Sequence, residues 1–339
     1  MGSISATRRR RRRVLWLIAA AVLLVAAIAA SIAFGSHALP AREVWAALTG
    51  HGQGQAETIV TQQRLPRTLL GIMCGASLAV AGAVMQALTR NPLAEPGLLG
   101  INAGASVTVV LCVVLFGALG IHAYLLCALV GAGLAAVAVY ALGSGGTGRS
   151  SVVRLALAGV AISAALAALN QALILADQTA FNEFRFWVAG SLENRGYDIA
   201  AAVAPLMLLG LALALWAAPA INALSMGEEA GVALGVHLRR TQTIALVCVA
   251  VLAGAATAAI GPITFVGLAV PFIARQLMGA DLRWVTALSL LLGPVWLLLA
   301  DVLARTILAP EETQVGIIAT LVGAPVFVAL MCRRKVEAL

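Results

Sequence analysis

The chain has 339 residues, of which 62% are hydrophobic and 11% charged, with a formal net charge of +8. An ordinary soluble domain is about 45–50% apolar and about 25% charged, so a soluble core this rich in apolar residues would lack the polar surface to cover it. Soluble enzymes and disordered chains are disfavoured on that ground. Nucleic acid is disfavoured too, because Arg8 to Arg13 stand together before an apolar run, the pattern of a topology signal that also meets anionic lipid.

Residues 1–13 form a basic tail. Val14 to Phe34 carries no charge and is long enough to cross a bilayer. It exceeds the usual signal-peptide core of about 7–15 residues, so it predicts a retained first span. A polar segment from Gly35 to Gln63 follows, with a short amphipathic helix expected around Ala41 to Leu48. The second span starts near Pro66, since proline is tolerated in the first turn of a helix, and runs to about Leu88. Further spans are expected at about 98–116, 122–142, 152–175, 199–217, 241–260, 263–277, 285–304 and 314–332. Pro262 and Pro271 shorten the eighth.

The expected fold class is therefore all-α: one polytopic membrane domain over 1–339 with about ten transmembrane helices, its first span at 14–34 and the rest within 64–332. An even count puts both termini on one side. Placing them in the cytoplasm puts 16 of the 22 basic residues inside and leaves 6 outside, namely Arg42, Arg64, Arg67, Arg185, Arg195 and Arg305. That split fits the positive-inside rule.

Catalytic chemistry finds no foothold. The five cysteines, Cys74, Cys112, Cys127, Cys248 and Cys332, show no CxxC spacing, so neither a zinc site nor a disulfide framework is expected. The single lysine, Lys335, follows no Gly-Lys-Ser/Thr element, so the chain has no Walker A loop of its own. His37, His51, His122 and His237 fall in loops or at span ends, and no HExxH or GxSxG occurs. No catalytic residue, metal site or resident cofactor is expected. Asp301 lies near the outer end of the ninth span, with Arg305 four residues on, and reads as a local ion pair. A proton-coupled carrier would hold carboxylates at mid-membrane, and none is evident.

Gly71 to Gly75 and Gly100 to Gly104 are GxxxG elements, which permit close helix contact or arise by chance among 33 glycines. Two Gly/Pro-bounded breaks, Asn91 to Gly97 inside and Gly261 to Gly267 outside, read either as an inverted-repeat signal or as ordinary turns. The inner loop at 218–240 carries Glu228 and Glu229 beside Leu224, Met226 and Leu234, a pattern that suits a partner surface or a membrane-lying helix.

In order, these motifs resemble the FecCD family of binding-protein-dependent permeases, which import ferric siderophores, haem and cobalamin. The resemblance rests on Arg64-Leu-Pro-Arg67, Gly82 to Gln86, and Asn91-Pro-Leu-Ala-Glu-Pro-Gly-Leu-Leu-Gly100. It continues through Leu224 to Ala230 with Leu234-Gly235-Val236, Gly261 to Arg275, Ala300 to Arg305 and Gly323 to Phe327. Phe272 and Gln314 depart from residues common among relatives.

The resemblance implies a permease subunit paired with a second one, identical or paralogous. It also implies two cytoplasmic ABC ATPase subunits that bind the ATP, and an extracytoplasmic substrate-binding protein. It implies that Arg64, Arg67 and Arg305 dock that binding protein. Asn91 and Leu93, with Ser150 and Ser151, would narrow the inner mouth. Leu224, Met226, Gly227, Glu228, Glu229, Ala230, Leu234 and Gly235 would meet the ATPase. Ferric siderophore is the expected cargo, with haem or cobalamin as alternatives and a stand-alone secondary transporter as the rival class.

Overall fold

The computed structural model of the protein describes residues 2–118, 120–144 and 152–332, and every regular element among them is helical. Helix α1 (Gly2–Ala33) is followed by the short α2 (Ala41–Leu48) and α3 (Gly54–Thr58). A π-helical turn at Ile59–Arg64 leads into α4 (Leu65–Thr89), and a 3-10 turn at Pro96–Leu99 leads into α5 (Ile101–Phe116). Then come α6 (Ile121–Ser144), α7 (Val152–Ala176), α8 (Gln178–Val188), α9 (Tyr197–Ser225) and α10 (Glu228–Ala233). The chain finishes with α11 (Leu238–Ile260), α12 (Val266–Met278), α13 (Leu282–Thr306) and α14 (Val315–Cys332).

Among the described residues, seven helices are long and apolar enough to cross a bilayer, and α5, α12 and α14 are shorter apolar helices. These helices stand where the expected spans were placed, seven of them of full spanning length. The amphipathic α2 also stands where its pattern put it. The outer helices expose apolar side chains as lipid-facing helices do: Leu15, Ile18, Val22 and Val25 of α1 are all more than half exposed.

Helix α4 is the centre of the bundle. Of its most apolar stretch 83% is buried, against 17% in α1 and in α7. Its small residues explain this, because lipid tails remove the hydrophobic drive between helices and leave close packing to hold them. A β-carbon on Gly75 would come within 2.6 Å of the Gly293 carbonyl oxygen of α13. The second GxxxG element works similarly, with Gly104 of α5 against Gly131 of α6. Both elements are therefore contact sites.

The two Gly/Pro breaks, expected on opposite faces, meet. Pro96 Cδ lies 3.0 Å from where a β-carbon on Gly267 would sit. Glu95, Pro96 and Gly97 from one break share a small cavity with Thr264 and Phe265 from the other, and Asn102 of α5 joins them. The reason is length: the 13 residues of α12 reach only about 20 Å, short of a hydrocarbon core of about 30 Å. Its start lies within the bundle.

Three further features depart from expectation. Helix α8 was not expected; Asp177 is its N-cap and accepts from the Ala180 N–H at 2.8 Å. Helix α9 runs on through Pro219 to Ser225, so the inner loop expected from 218 begins later. Cys112 and Cys127 form a disulfide, because the glycine contact between α5 and α6 brings their neighbouring ends together.

Candidate functional site

One end of the bundle gathers the close of α1, the start of α4, the close of α13 and the α13–α14 loop. Arg64, Arg67 and Arg305 meet there, as their shared outer assignment required. They are buried, at 4%, 8% and 2% exposure. Each is engaged within the chain.

Asp301 is the hub, with no exposed surface. Arg67 donates from Nε to both Asp301 carboxylate oxygens at 2.9 and 3.1 Å, and from Nη2 to Oδ1 at 2.7 Å. Arg305 Nη2 pairs with Asp301 Oδ2 at 2.9 Å and donates to the Ser31 carbonyl and hydroxyl oxygens. The local pair read from the i,i+4 spacing is thus present, but no local pattern reveals that Arg67 shares the carboxylate. A buried carboxylate between two guanidinium groups recovers in charge-assisted hydrogen bonds what it loses in hydration.

Glu312, which sequence reasoning missed, completes the set. Its Oε2 accepts from Arg67 Nη1 at 2.6 Å and its Oε1 from the Ser36 hydroxyl at 2.8 Å. Burial alone would raise the Glu312 carboxyl, but the charge and hydrogen bond of Arg67, helped by Ser36 and Arg305, hold it below the usual carboxylate range. Arg64 pairs with no carboxylate among the described residues. It donates to the carbonyls of Ile32, Ala33 and His37 at 2.8, 2.7 and 2.6 Å. The Ile32 and Ala33 carbonyls close α1, where the helix dipole favours a cation, and His37 stands just beyond the helix. Gly35 makes room, since a β-carbon there would sit 2.9 Å from Arg64 Nη2.

The opposite end gathers the segments assigned to the cytoplasm. Arg13 donates from Nε to the Met278 carbonyl at 2.9 Å, and Asn222 donates to Asp281 at 2.8 Å. Asn91 is exposed, and its side-chain oxygen accepts from the Leu93 N–H at 2.9 Å, fixing a tight turn that leaves Leu93 47% exposed. Arg90, in the left-handed conformation that ends α4, donates from Nη2 to the Leu224 carbonyl at 2.7 Å. Ser150 and Ser151 lie outside the described residues.

Helices α9 and α10 form a hairpin about Gly227, whose φ of 131° favours glycine. Met226 and Leu234 are exposed at 68% and 65%, and Glu229 and Ala230 also face outward. Leu224, expected among the exposed apolar residues, is buried at 6%. The reason is that α10 folds back on it: a β-carbon on Gly231 would lie 2.7 Å from Leu224 Cδ2. Gly235, at φ 84°, turns the chain toward α11.

A profile of the FecCD transport family matches residues 23–333. The chain is 45% identical, over 310 residues, to the ferric enterobactin transport system permease protein of Escherichia coli (strain K12), covering 91% of this chain and 92% of that one. It is 39% identical over 277 residues to the hemin transport system permease protein of Yersinia pestis, covering 80% and 82% respectively. A solved structure of an inward-facing metal-chelate type ABC transporter superposes with a TM-score of 0.83 at 24% identity, over 94% of this chain and 99% of that one. Family profile, relatives and helical architecture agree: the chain is a multi-pass membrane permease that belongs to the FecCD transport family.

Proposed function

We propose that the chain forms the translocation pathway of a binding-protein-dependent ABC importer for ferric siderophores. It works beside a second permease subunit, with two cytoplasmic ATPase subunits supplying energy. The observation that carries the cargo class is the similarity to the ferric enterobactin permease, which exceeds that to the hemin permease. The hemin relative supports haem as the second reading.

On this reading the end bearing Arg64, Arg67 and Arg305 receives the binding protein. Asn91 and Leu93 narrow the inner mouth, and the α9–α10 hairpin meets the ATPase. The buried state of the arginines requires that docking reach them by an exchange of partners.

The test is uptake by cells that carry this transporter as their sole route for these cargoes. Radiolabelled ferric enterobactin, haemin and cyanocobalamin are each offered at limiting concentration. Uptake of ferric enterobactin alone supports the reading. Uptake of haemin or cyanocobalamin without it overturns the siderophore assignment.

A further inference from the structure

Arg67 divides its guanidinium between two carboxylates of different standing. The Nε and Nη2 edge belongs to Asp301, which is fully buried within a helical turn of α13. The Nη1 corner belongs to Glu312, which stands on the loop after α13 and keeps 18% of its side chain exposed. Besides Arg67, only the Ser36 hydroxyl holds it among the described residues. Asp301 cannot leave without dismantling the helix packing. Glu312 needs only a loop movement.

Charge counting points the same way. Arg67 and Arg305 pair with Asp301 and Glu312, while Arg64 beside them is held by backbone carbonyls, so the cluster carries one more positive charge than negative. A cluster of this sign, with one corner covered by a removable carboxylate, fits an incoming carboxylate on a protein partner. Because one carboxylate replaces another, the buried guanidinium is never left unpaired, and the exchange avoids the cost of breaking a buried ion pair.

We infer that Glu312 is the resting occupant of a carboxylate seat on Arg67, and that a glutamate or aspartate of the binding protein takes this seat on docking. The inference rests on the docking reading proposed above and adds an internal competitor to it. Glu312 then sets how tightly the partner binds, and it keeps the arginine covered between transport cycles.

The experiment titrates the cognate extracytoplasmic binding protein onto the full transporter in nanodiscs. Glu312→Gln is expected to tighten association about tenfold, and Ser36→Ala to tighten it less. Arg67→Glu is expected to weaken it by about tenfold or more. Unchanged or weaker association in Glu312→Gln, with Arg67→Glu weakened, overturns the exchange and leaves docking intact. Parent affinity in Arg67→Glu overturns docking itself. Should Glu312→Gln fail to insert, a spin label on Glu311→Cys, in a background without the native cysteines, reports the loop directly. Increased mobility on docking supports the exchange, and an unchanged spectrum overturns it.

Discussion

Gly82 of α4 lies against the backbone carbonyl of Gly267 at the start of α12, so closely that a β-carbon at 82 would overlap it. One turn later Gln86 donates from Nε2 to the Leu268 carbonyl at 3.1 Å. The two contacts seat the short α12 on the most buried helix of the bundle.

At Gly82 the obstructing atoms are backbone, so no side chain can rotate aside. Gly82→Val should therefore destabilise the protein at or beyond the upper end of the ~1–3 kcal/mol typical of overpacked cores. Thermal unfolding in detergent should begin several degrees lower. A parent-like melting temperature would show that α12 shifts freely away from α4.

Asp301→Asn keeps the shape of the hub and removes its charge, leaving Arg67 and Arg305 buried beside each other. Breaking one member out of a buried ion cluster costs about 3–5 kcal/mol. The variant should insert poorly or melt early. Asp301→Asn combined with Arg305→Met should recover part of the loss, because it removes one of the stranded cations. Equal stability of the single variant and the parent would mean that water reaches the cluster.

The Glu312 carboxyl titrates below its ordinary value of 4.5, so its contribution to folding is fully present above that value and is lost as pH falls through the lowered one. The Arg67–Glu312 pair should therefore survive unchanged from pH 8 to pH 5. Melting temperatures of parent and Glu312→Gln should differ by a constant amount across that range and converge only at more acid pH. Convergence near pH 6 would contradict the lowered carboxyl.

The seven long apolar helices were legible because apolar runs near 20 residues have few readings other than a span, and α5, α12 and α14 followed from shorter apolar runs. The amphipathic α2 was legible for a similar reason, its pattern being local. The ion cluster was legible only in part. The i,i+4 spacing exposes Asp301 with Arg305, whereas Arg67 and Glu312 are separated by 245 positions, and no periodicity links them. The meeting of the two Gly/Pro breaks was hidden because each reads locally as a loop. The end of α9 was misplaced in the opposite sense: the helix continues past 217 to Ser225, so Leu224 is part of a packed hairpin instead of a loop.

Arg90 ties the Asn91–Leu93 turn to the end of α9 through the Leu224 carbonyl. If the hairpin carries movement from an ATPase, this bond passes it to the turn. Arg90→Ala should leave assembly with the ATPase at parent level and lower transport about tenfold, roughly one decade for one charge-assisted bond. A thiol at position 93, placed by Leu93→Cys in a background without the native cysteines, should change its reactivity with nucleotide state. In the Arg90→Ala background that dependence should be lost. Labelling that never varies with nucleotide would remove the turn from the gate.

The hairpin itself separates two kinds of residue that look alike in sequence. Met226 and Leu234 are exposed, while Leu224 is buried against Gly231. Apolar side chains held outward at the two turns that flank α10 suit a groove in a partner, where burial contributes about 25 cal/mol per Å² of apolar surface. Met226→Asp and Leu234→Asp should therefore reduce co-purification of the ATPase while leaving insertion and melting temperature unchanged. Leu224→Asp places a charge between α9 and α10 and should lower the melting temperature as well. Glu229→Ala should act weakly by itself, since an exposed charge contributes about 0–1 kcal/mol to a contact. If Met226→Asp and Leu234→Asp assemble with the ATPase as the parent does, the outward face of the hairpin faces lipid or water and the coupling surface lies elsewhere.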